Sequence, residues 1–210
     1  MDETSAIGAA VDRGCAPLLA LSWAPPVCSG DEHQGIPELV TPMKIEIRDE
    51  TAADVAAIEA VTVAAFLHAP HTSHTEQFIV DTLRKAGQLT VSLVANVDGA
   101  VVGHVAISPV SISDGAAGWY GLGPISVAPE YQRRGIGSRL MREALRALRE
   151  HGASGCVLLG EPGYYSRFGF RVDPNLSLPG VPVEYFQAIS LGASHPQGIV
   201  SYHSAFDVSA

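Results

Sequence analysis

Hydrophobic and polar positions alternate at the start of the first readable element, where Ile45 and Ile47 stand between Lys44, Glu46 and Arg48. A period of two is the mark of a half-buried strand. Thr51, with Asp54 three residues on, predicts a helix start, and Val55, Ile58, Val61 and Ala65 recur at the spacing of one helical face. Ser73-His74-Thr75-Glu76 is a second capping box, opening a helix with Phe78, Ile79 and Leu83 inward and Gly87 at its end. Leu89, Val91, Leu93 and Ala95 alternate along a strand, and Asp98-Gly99 predicts a hairpin into a second strand from Val101 to Ile107. Asp114-Gly115 turns the chain again, into Trp119 to Val127.

A long amphipathic helix follows from about Gly135 to Glu150. Ile136, Leu140, Met141, Ala144, Leu145 and Leu148 share one face, and Arg139, Arg142, Glu143, Arg146 and Arg149 the other. Gly152 ends it, and Val157-Leu158-Leu159 is a short continuous apolar run, as in a buried strand. Ile199 to Tyr202 supplies a last strand. There is no internal repeat. The order predicts an α/β chain, with a mixed and largely antiparallel sheet that carries helices on both faces.

The first 42 residues break this pattern. They hold five prolines, no sustained periodicity, and Asp2, Glu3, Asp12, Asp31, Glu32 and Glu38 against Arg13 alone. We read residues 1–42 as a poorly ordered N-terminal extension, or as an upstream start whose initiator is Met43, and residues 43–210 as the domain. With 210 residues, 47% of them hydrophobic, the chain can bury a substantial core. No apolar run approaches the ~20 residues of a membrane helix. Ala16 to Ala24 is preceded by acids rather than by the basic residues of a secretory signal, so the expected location is the cytoplasm. Cys15, Cys28 and Cys156 are odd in number and lack C-x-x-C spacing, which argues against disulfides and thiolate zinc sites alike. A formal charge of -9 argues against nucleic acid as the partner.

Candidate chemistry centres on Ile125-Ser126-Val127-Ala128-Pro129-Glu130-Tyr131-Gln132-Arg133-Arg134-Gly135-Ile136-Gly137-Ser138. A strand runs into a loop, and the loop into a helix. The first N–H groups of a helix lack internal partners and sit at the positive end of its dipole, a ready site for pyrophosphate. Gly135 and Gly137 keep Cβ atoms away from the anion, Gln132, Arg133 and Arg134 add side-chain donors, and Ser138 adds a hydroxyl. The P-loop pattern is absent. The dinucleotide fingerprint fails at Leu140, where it requires glycine.

Val127-Ala128-Pro129 followed by Gln132-Arg133-Arg134-Gly135-Ile136-Gly137 resembles the signature of the GNAT superfamily of N-acetyltransferases. Tyr164-Tyr165-Ser166-Arg167-Phe168-Gly169-Phe170 is similar to the family's second motif. The resemblance covers about Met43 to Val172 and implies a sheet splayed at its fourth strand. It further implies acetyl-CoA as cosubstrate, with backbone groups of Ile125, Ser126 and Val127 along the pantetheine arm. The pyrophosphate would lie on Gln132 through Ser138, with no metal involved. Pro124, lacking an N–H, suits a bulge there. Tyr165 aligns with the family's acid for the departing thiolate; Tyr164 is the alternative, and either ring can be the one that only packs. Gly160-Glu161-Pro162-Gly163 lacks the asparagine that members often carry before this helix.

The function implied is acetyl transfer to a primary amine, a small molecule or a peptide, by direct attack in a ternary complex. The alternative is a non-catalytic acyl-CoA-binding sensor. A homodimer is compatible with either. On the acceptor side, Leu67-His68-Ala69-Pro70-His71-Thr72-Ser73-His74 is rich in imidazole, and His71, His74 and Glu76 are candidate bases. His-x-x-His lacks a third metal ligand. His104, in mid-strand, reads as packed or solvated rather than catalytic.

Overall fold

A computed structural model describes residues 43–67 and 75–207. In chain order the elements are β1 (Ile45–Asp49), α1 (Val55–Phe66), α2 (Glu76–Lys85), β2 (Val91–Val97), β3 (Ala100–Pro109) and β4 (Ser111–Ile112). There follow β5 (Trp119–Val127), α3 (Ile136–Glu150), β6 (Gly155–Leu159), α4 (Pro162–Tyr165), β7 (Leu176–Ser177), β8 (Phe186–Ser190) and β9 (Gly198–Ser201). Six strands form one sheet in the order β1-β2-β3-β5-β6-β8, and β4, β9 and β7 form a second, small one. Pairing in the large sheet is antiparallel except between β5 and β6.

The hairpin between β2 and β3 closes as its sequence predicts, with Asp98 and Gly99 both at positive φ. One face of the large sheet lies under α3. Ile136, Leu140, Met141, Ala144, Leu145 and Leu148 are all buried there against Val105, Ile107, Leu122, Ile125 and Val127. The other face is covered by α1 and α2, where Ile58 and Val80 pack on Val94 and Ala106. Opposite faces of β3 and β5 therefore serve different layers, as the two-residue period requires.

Two readings from sequence change. Phe78 is 46% exposed, and the inward face of α2 is instead Glu76, Ile79, Val80 and Leu83, which keep the i, i+3, i+4, i+7 spacing. β9 joins β4 and β7 rather than the main sheet, whose last strand is β8, paired residue by residue with β6. Its Phe186-Gln187-Ala188 is wholly buried, so no alternation marks it as a strand. The capping box at Ser73 and the histidines 68, 71 and 74 lie outside the described residues. Among those described, no helix is long and apolar enough to cross a membrane.

The entry into α1 follows its sequence closely. Thr51 donates its backbone N–H and its hydroxyl to Asp54 at 2.7 and 2.8 Å, and Arg48 grips both carboxylate oxygens at 2.7 and 2.8 Å. The Arg48 hydrogen bonds, with those from Thr51, hold the Asp54 carboxyl well below the usual carboxylate range. A folded-state pKa below the unfolded value of about 3.9 stabilises the protein above that pH and loses the effect as pH falls. Asp54→Asn should therefore cost about 1–2 kcal/mol at pH 7, and progressively less toward pH 2. Urea unfolding of both proteins across that range checks this; a cost independent of pH would assign it to packing instead.

Candidate functional site

Pairing between β5 and β6 covers only Trp119, Tyr120 and Gly121 with Gly155, Cys156 and Val157. Beyond that point β6 stays with β8 to Leu159, while β5 stays with β3. On β5 the register against β3 jumps from Leu122 opposite Ile107 to Ile125 opposite Val105. Gly123 and Pro124 thus stand against Ala106 alone, a bulge at the position where Pro124 suggested one. A bulge bends its strand, and β5 leaves β6 where the bulge begins. Ile125, Ser126 and Val127 are paired with Val105, His104 and Gly103 on one edge and face the gap with the other.

The two strands are parallel, so their C-terminal ends open on the same side of the sheet. The loop from β5 into α3 stands on one side of the gap, and α4, following β6, on the other. In that loop Gln132 donates its side-chain amide to the Val127 carbonyl at 3.1 Å. One predicted anion donor is therefore committed to holding the end of β5. Arg133, at φ 60, and Gly135, at φ 79, both take the left-handed conformation. For arginine this costs about 1–2 kcal/mol; for Gly135 it costs little, and nothing lies within 4 Å of where its Cβ would be.

The first helical bond of α3 runs from Arg139 N–H to the Gly135 carbonyl at 3.0 Å, and Gly135 as N-cap has no side chain to turn inward. The N–H groups of Ile136, Gly137 and Ser138 have no intrahelical acceptor. A pocket lined by Val127, Tyr131, Gln132, Arg133, Gly135, Ile136 and Gly137 lies at this helix start. Arg133 and Arg134 are exposed beside it, the latter with its guanidinium 5.5 Å from the Tyr131 ring centroid. The arrangement suits a polyanion, with helix dipole, bare N–H groups and two guanidinium groups all of one sign.

Across the gap, both tyrosines of α4 are buried, 4.9 Å apart in edge-to-face contact. The Tyr165 ring lies against Gly160, where a Cβ would stand 2.3 Å from a ring carbon, and its far side meets Phe170. Burial, and then the neighbouring Tyr164, push the Tyr165 phenol well above its usual range, so it is a proton donor at neutral pH. Tyr164 is capped by the Arg167 guanidinium, 4.0 Å from its ring centroid. Gln187 on β8, itself buried, donates to the Gly160 carbonyl at 2.9 Å and anchors this side of the gap.

The sequence reading passed over Thr62, Ser92 and Gln187. The Ser126 hydroxyl lies 3.3 Å from that of Thr62 on α1, both buried. His104 is packed, as expected, but it is fully buried and bonded rather than merely filling space: its Nε2 is 2.8 Å from Ser92 Oγ. A polar residue in an otherwise apolar strand was the available signal. Among the described residues no group of three or more His, Cys, Asp and Glu side chains is gathered as a metal site.

The model of the Acetyltransferase (GNAT) family matches residues 48–170. An uncharacterized N-acetyltransferase, YhbS of Escherichia coli strain K12, is 36% identical over 158 residues, 71% of this chain and 94% of its own. Among solved structures, a GNAT family acetyltransferase from Brucella melitensis in complex with acetyl-CoA is 50% identical, with a TM-score of 0.71 over 79% of this chain and 99% of its own. YhbS from Escherichia coli in complex with CoA has the same TM-score at 33% identity, over 79% of this chain and 93% of its own.

The contact between Tyr165 and Gly160 gives a direct test of this wall of the gap. Gly160→Ala must displace the ring and should lower stability by about 1–3 kcal/mol, with a changed near-ultraviolet circular dichroism spectrum. Tyr165→Phe should change neither by much. An unaltered melting temperature and spectrum in Gly160→Ala would contradict the close packing.

Proposed function

The chain belongs to the GNAT acetyltransferase family, and from that premise we propose that it transfers the acetyl group of acetyl-CoA to a primary amine by direct attack within a ternary complex. The observation that carries this reading is the gap between β5 and β6, with an uncapped helix start at one side of its mouth and a buried tyrosine at the other. The pyrophosphate of the donor sits on the N–H groups of Ile136, Gly137 and Ser138, with Arg133 and Arg134 beside it. The pantetheine arm lies along the free edge of Ile125, Ser126 and Val127 and replaces the strand pairing that β6 does not supply there. A backbone N–H on that edge polarises the thioester carbonyl and stabilises the oxyanion formed as the amine attacks.

Collapse of that intermediate breaks the C–S bond and leaves a thiolate. Tyr165 meets it. In water a phenol near pKa 10 would not surrender its proton to a thiolate whose acid has a pKa of about 8.5. Burial keeps the Tyr165 phenol protonated, so it is placed to donate as charge collects on sulfur, before a free thiolate forms.

Residues 43–210 form the catalytic unit in this reading. A chain beginning at Met43 should bind acetyl-CoA with unchanged affinity, and a large loss would show that the preceding segment takes part.

The test is a panel of primary amines with thiol release as readout and acetyl-CoA binding followed by calorimetry. Gly135→Val puts a β-branched side chain on a left-handed residue and should abolish donor binding while the fold survives. Tyr165→Phe should keep donor affinity and lower turnover by roughly 10²–10⁴-fold, with Tyr164→Phe near wild type. Unchanged affinity in a folded Gly135→Val protein would overturn the placement of the pyrophosphate. Full turnover in both tyrosine variants and in their combination would leave water as the proton source.

A further inference from the structure

The gap between β5 and β6 is open at the end that faces the first turn of α3 and closed at the other. Val110 donates its N–H to the Trp119 carbonyl, so on β5 Trp119 and Gly121 turn their backbone groups to β3, and Tyr120 and Leu122 turn theirs toward β6. Pairing with β6 stops at Gly121, opposite Val157, which makes Leu122 the first residue whose backbone looks into the gap. Its N–H is not bare. It donates to the Cys156 sulfur, and that thiol donates in turn to the Val157 carbonyl at 3.7 Å. The thiol thus sits in the fork where the strands part, in the layer beneath α3. On the opposite face Tyr202, directly after β9, lays its ring on Gly121, where a Cβ would stand 2.3 Å from a ring carbon and 3.0 Å from Val110. Leu122, Cys156, Val157 and Leu158 are all buried, and neither strand carries a lysine or an arginine. The fork is a closed, apolar end.

The depth of the gap matches the arm it would receive. Val127 stands opposite Gly103 and Gly121 opposite Ser108, and that stretch of β3, at ~3.4 Å per residue, makes the gap about 17 Å deep. The pantetheine arm of a CoA thioester has about thirteen bonds between phosphorus and sulfur; three chain bonds span at most ~3.6 Å, so the arm reaches at most about 16 Å. Its phosphate end belongs to the pocket at the start of α3, which touches Val127 at the mouth. An arm of that length runs nearly the whole depth. The sulfur arrives beside the bulge at Gly123 and Pro124, and whatever follows the sulfur has only the fork to occupy.

Resting on the acetyl-transfer reading above, we propose that the fork sets the length and the chemistry of the acyl group, with the Cys156 thiol and the Leu122 side chain as the walls that limit it. A methyl group fills the space beside them. Each further methylene must displace the thiol or the leucine, both held in the packed layer beneath α3, and overpacking of that kind is destabilising. A malonyl or succinyl group fails for a different reason. Its carboxylate would enter a fork without a cation, whose first backbone donor, the Leu122 N–H, is already bonded to sulfur. Burial pushes the Cys156 thiol well above its usual range, so it stays neutral and serves as a wall rather than as a nucleophile. The donor group that fits is acetyl, with propionyl taken poorly and dicarboxylic acyl groups refused.

The experiment is calorimetry on the full chain with CoA, acetyl-CoA, propionyl-CoA, butyryl-CoA and succinyl-CoA. Acetyl-CoA should bind roughly 10–200-fold more tightly than propionyl-CoA, the range for one methylene in an apolar pocket. CoA itself, which has no acyl group, reports the affinity of the arm alone. Cys156→Ala and Leu122→Val each clear about one heavy atom from the fork. Each should narrow the difference between propionyl-CoA and acetyl-CoA by about 10-fold, with CoA affinity unchanged. A wild type that binds propionyl-CoA or succinyl-CoA as tightly as acetyl-CoA overturns the proposal. So does an unaltered preference in both variants with CoA affinity intact. If neither variant folds, spectra of the wild type decide. Acetyl-CoA labelled with carbon-13 in its methyl group should show nuclear Overhauser contacts to the Leu122 methyls and the Cys156 β protons, and saturation with neither contact overturns the proposal. Failure of CoA itself to bind would overturn the donor site of the acetyl-transfer reading and this proposal with it, whereas CoA bound without discrimination among acyl groups counts against the fork alone.

Discussion

The pairing between β5 and β6 ends at Gly121 and Val157, and much of the rest of the molecule is arranged around that ending. Two strands with unmet backbone groups facing each other would ordinarily zip together, since a buried N–H without a partner is costly. Here the bulge at Gly123 and Pro124 turns β5 away, and the following helix α3 and the Gln132 bond to Val127 hold it in its new direction. On the other side β8 keeps β6 straight, and Gln187 occupies the carbonyl of Gly160. The open edge is thus sustained by contacts on both flanks, and a ligand that brings its own amides can complete it.

The alternation of side chains along β5 divides labour across the sheet. Leu122, Ile125 and Val127 point into the apolar layer beneath α3, which fixes the helix whose first turn lines the pocket beside Gly135. Gly121 and Ser126 point to the opposite layer, where Tyr202 and Thr62 meet them. That second layer is unusually polar for a buried one, with Thr62, Glu76, His104, Ser108 and Ser126 all inaccessible. Polar groups in such a setting are stable only when matched. The chain from Arg84 through Glu50 and Ser92 matches His104 at Nε2, Thr62 and Ser126 meet each other, and His104 Nδ1 and Ser108 Oγ are left over.

Much of this was legible in the sequence where a local rule governs the outcome. The α3 face, the Asp98-Gly99 hairpin, the Thr51–Asp54 entry and the bulge at Pro124 each follow from the period, the turn chemistry or the missing N–H of residues close together. The β8 strand was not legible, because a strand buried on both sides shows no alternation. Phe78 misled because an apolar residue one position off the true stripe fits a helical face nearly as well. Gln132 was read as an anion donor, and only the structure shows that its side-chain amide donates to the Val127 carbonyl. The His104 network joins residues 50, 84, 92 and 104 from four separate segments, and no pattern along a chain announces a contact of that kind.

The late position of Tyr202 has a bearing on how the protein comes into being. The cleft between β5 and β6, the helix start at Gly135 and the ring of Tyr165 are all encoded before residue 170, whereas the Tyr202 ring that lies on Gly121 beside Val110 comes some thirty residues farther on. A chain made only as far as residue 170 therefore holds every residue of that cleft, while on the opposite face of β5 Ser126 has its partner Thr62 and Gly121 still lacks the Tyr202 ring. The last of the cover comes with β9 and the turn beyond it, whose Ala205 and Phe206 dock on Ile79 and Leu83 of α2.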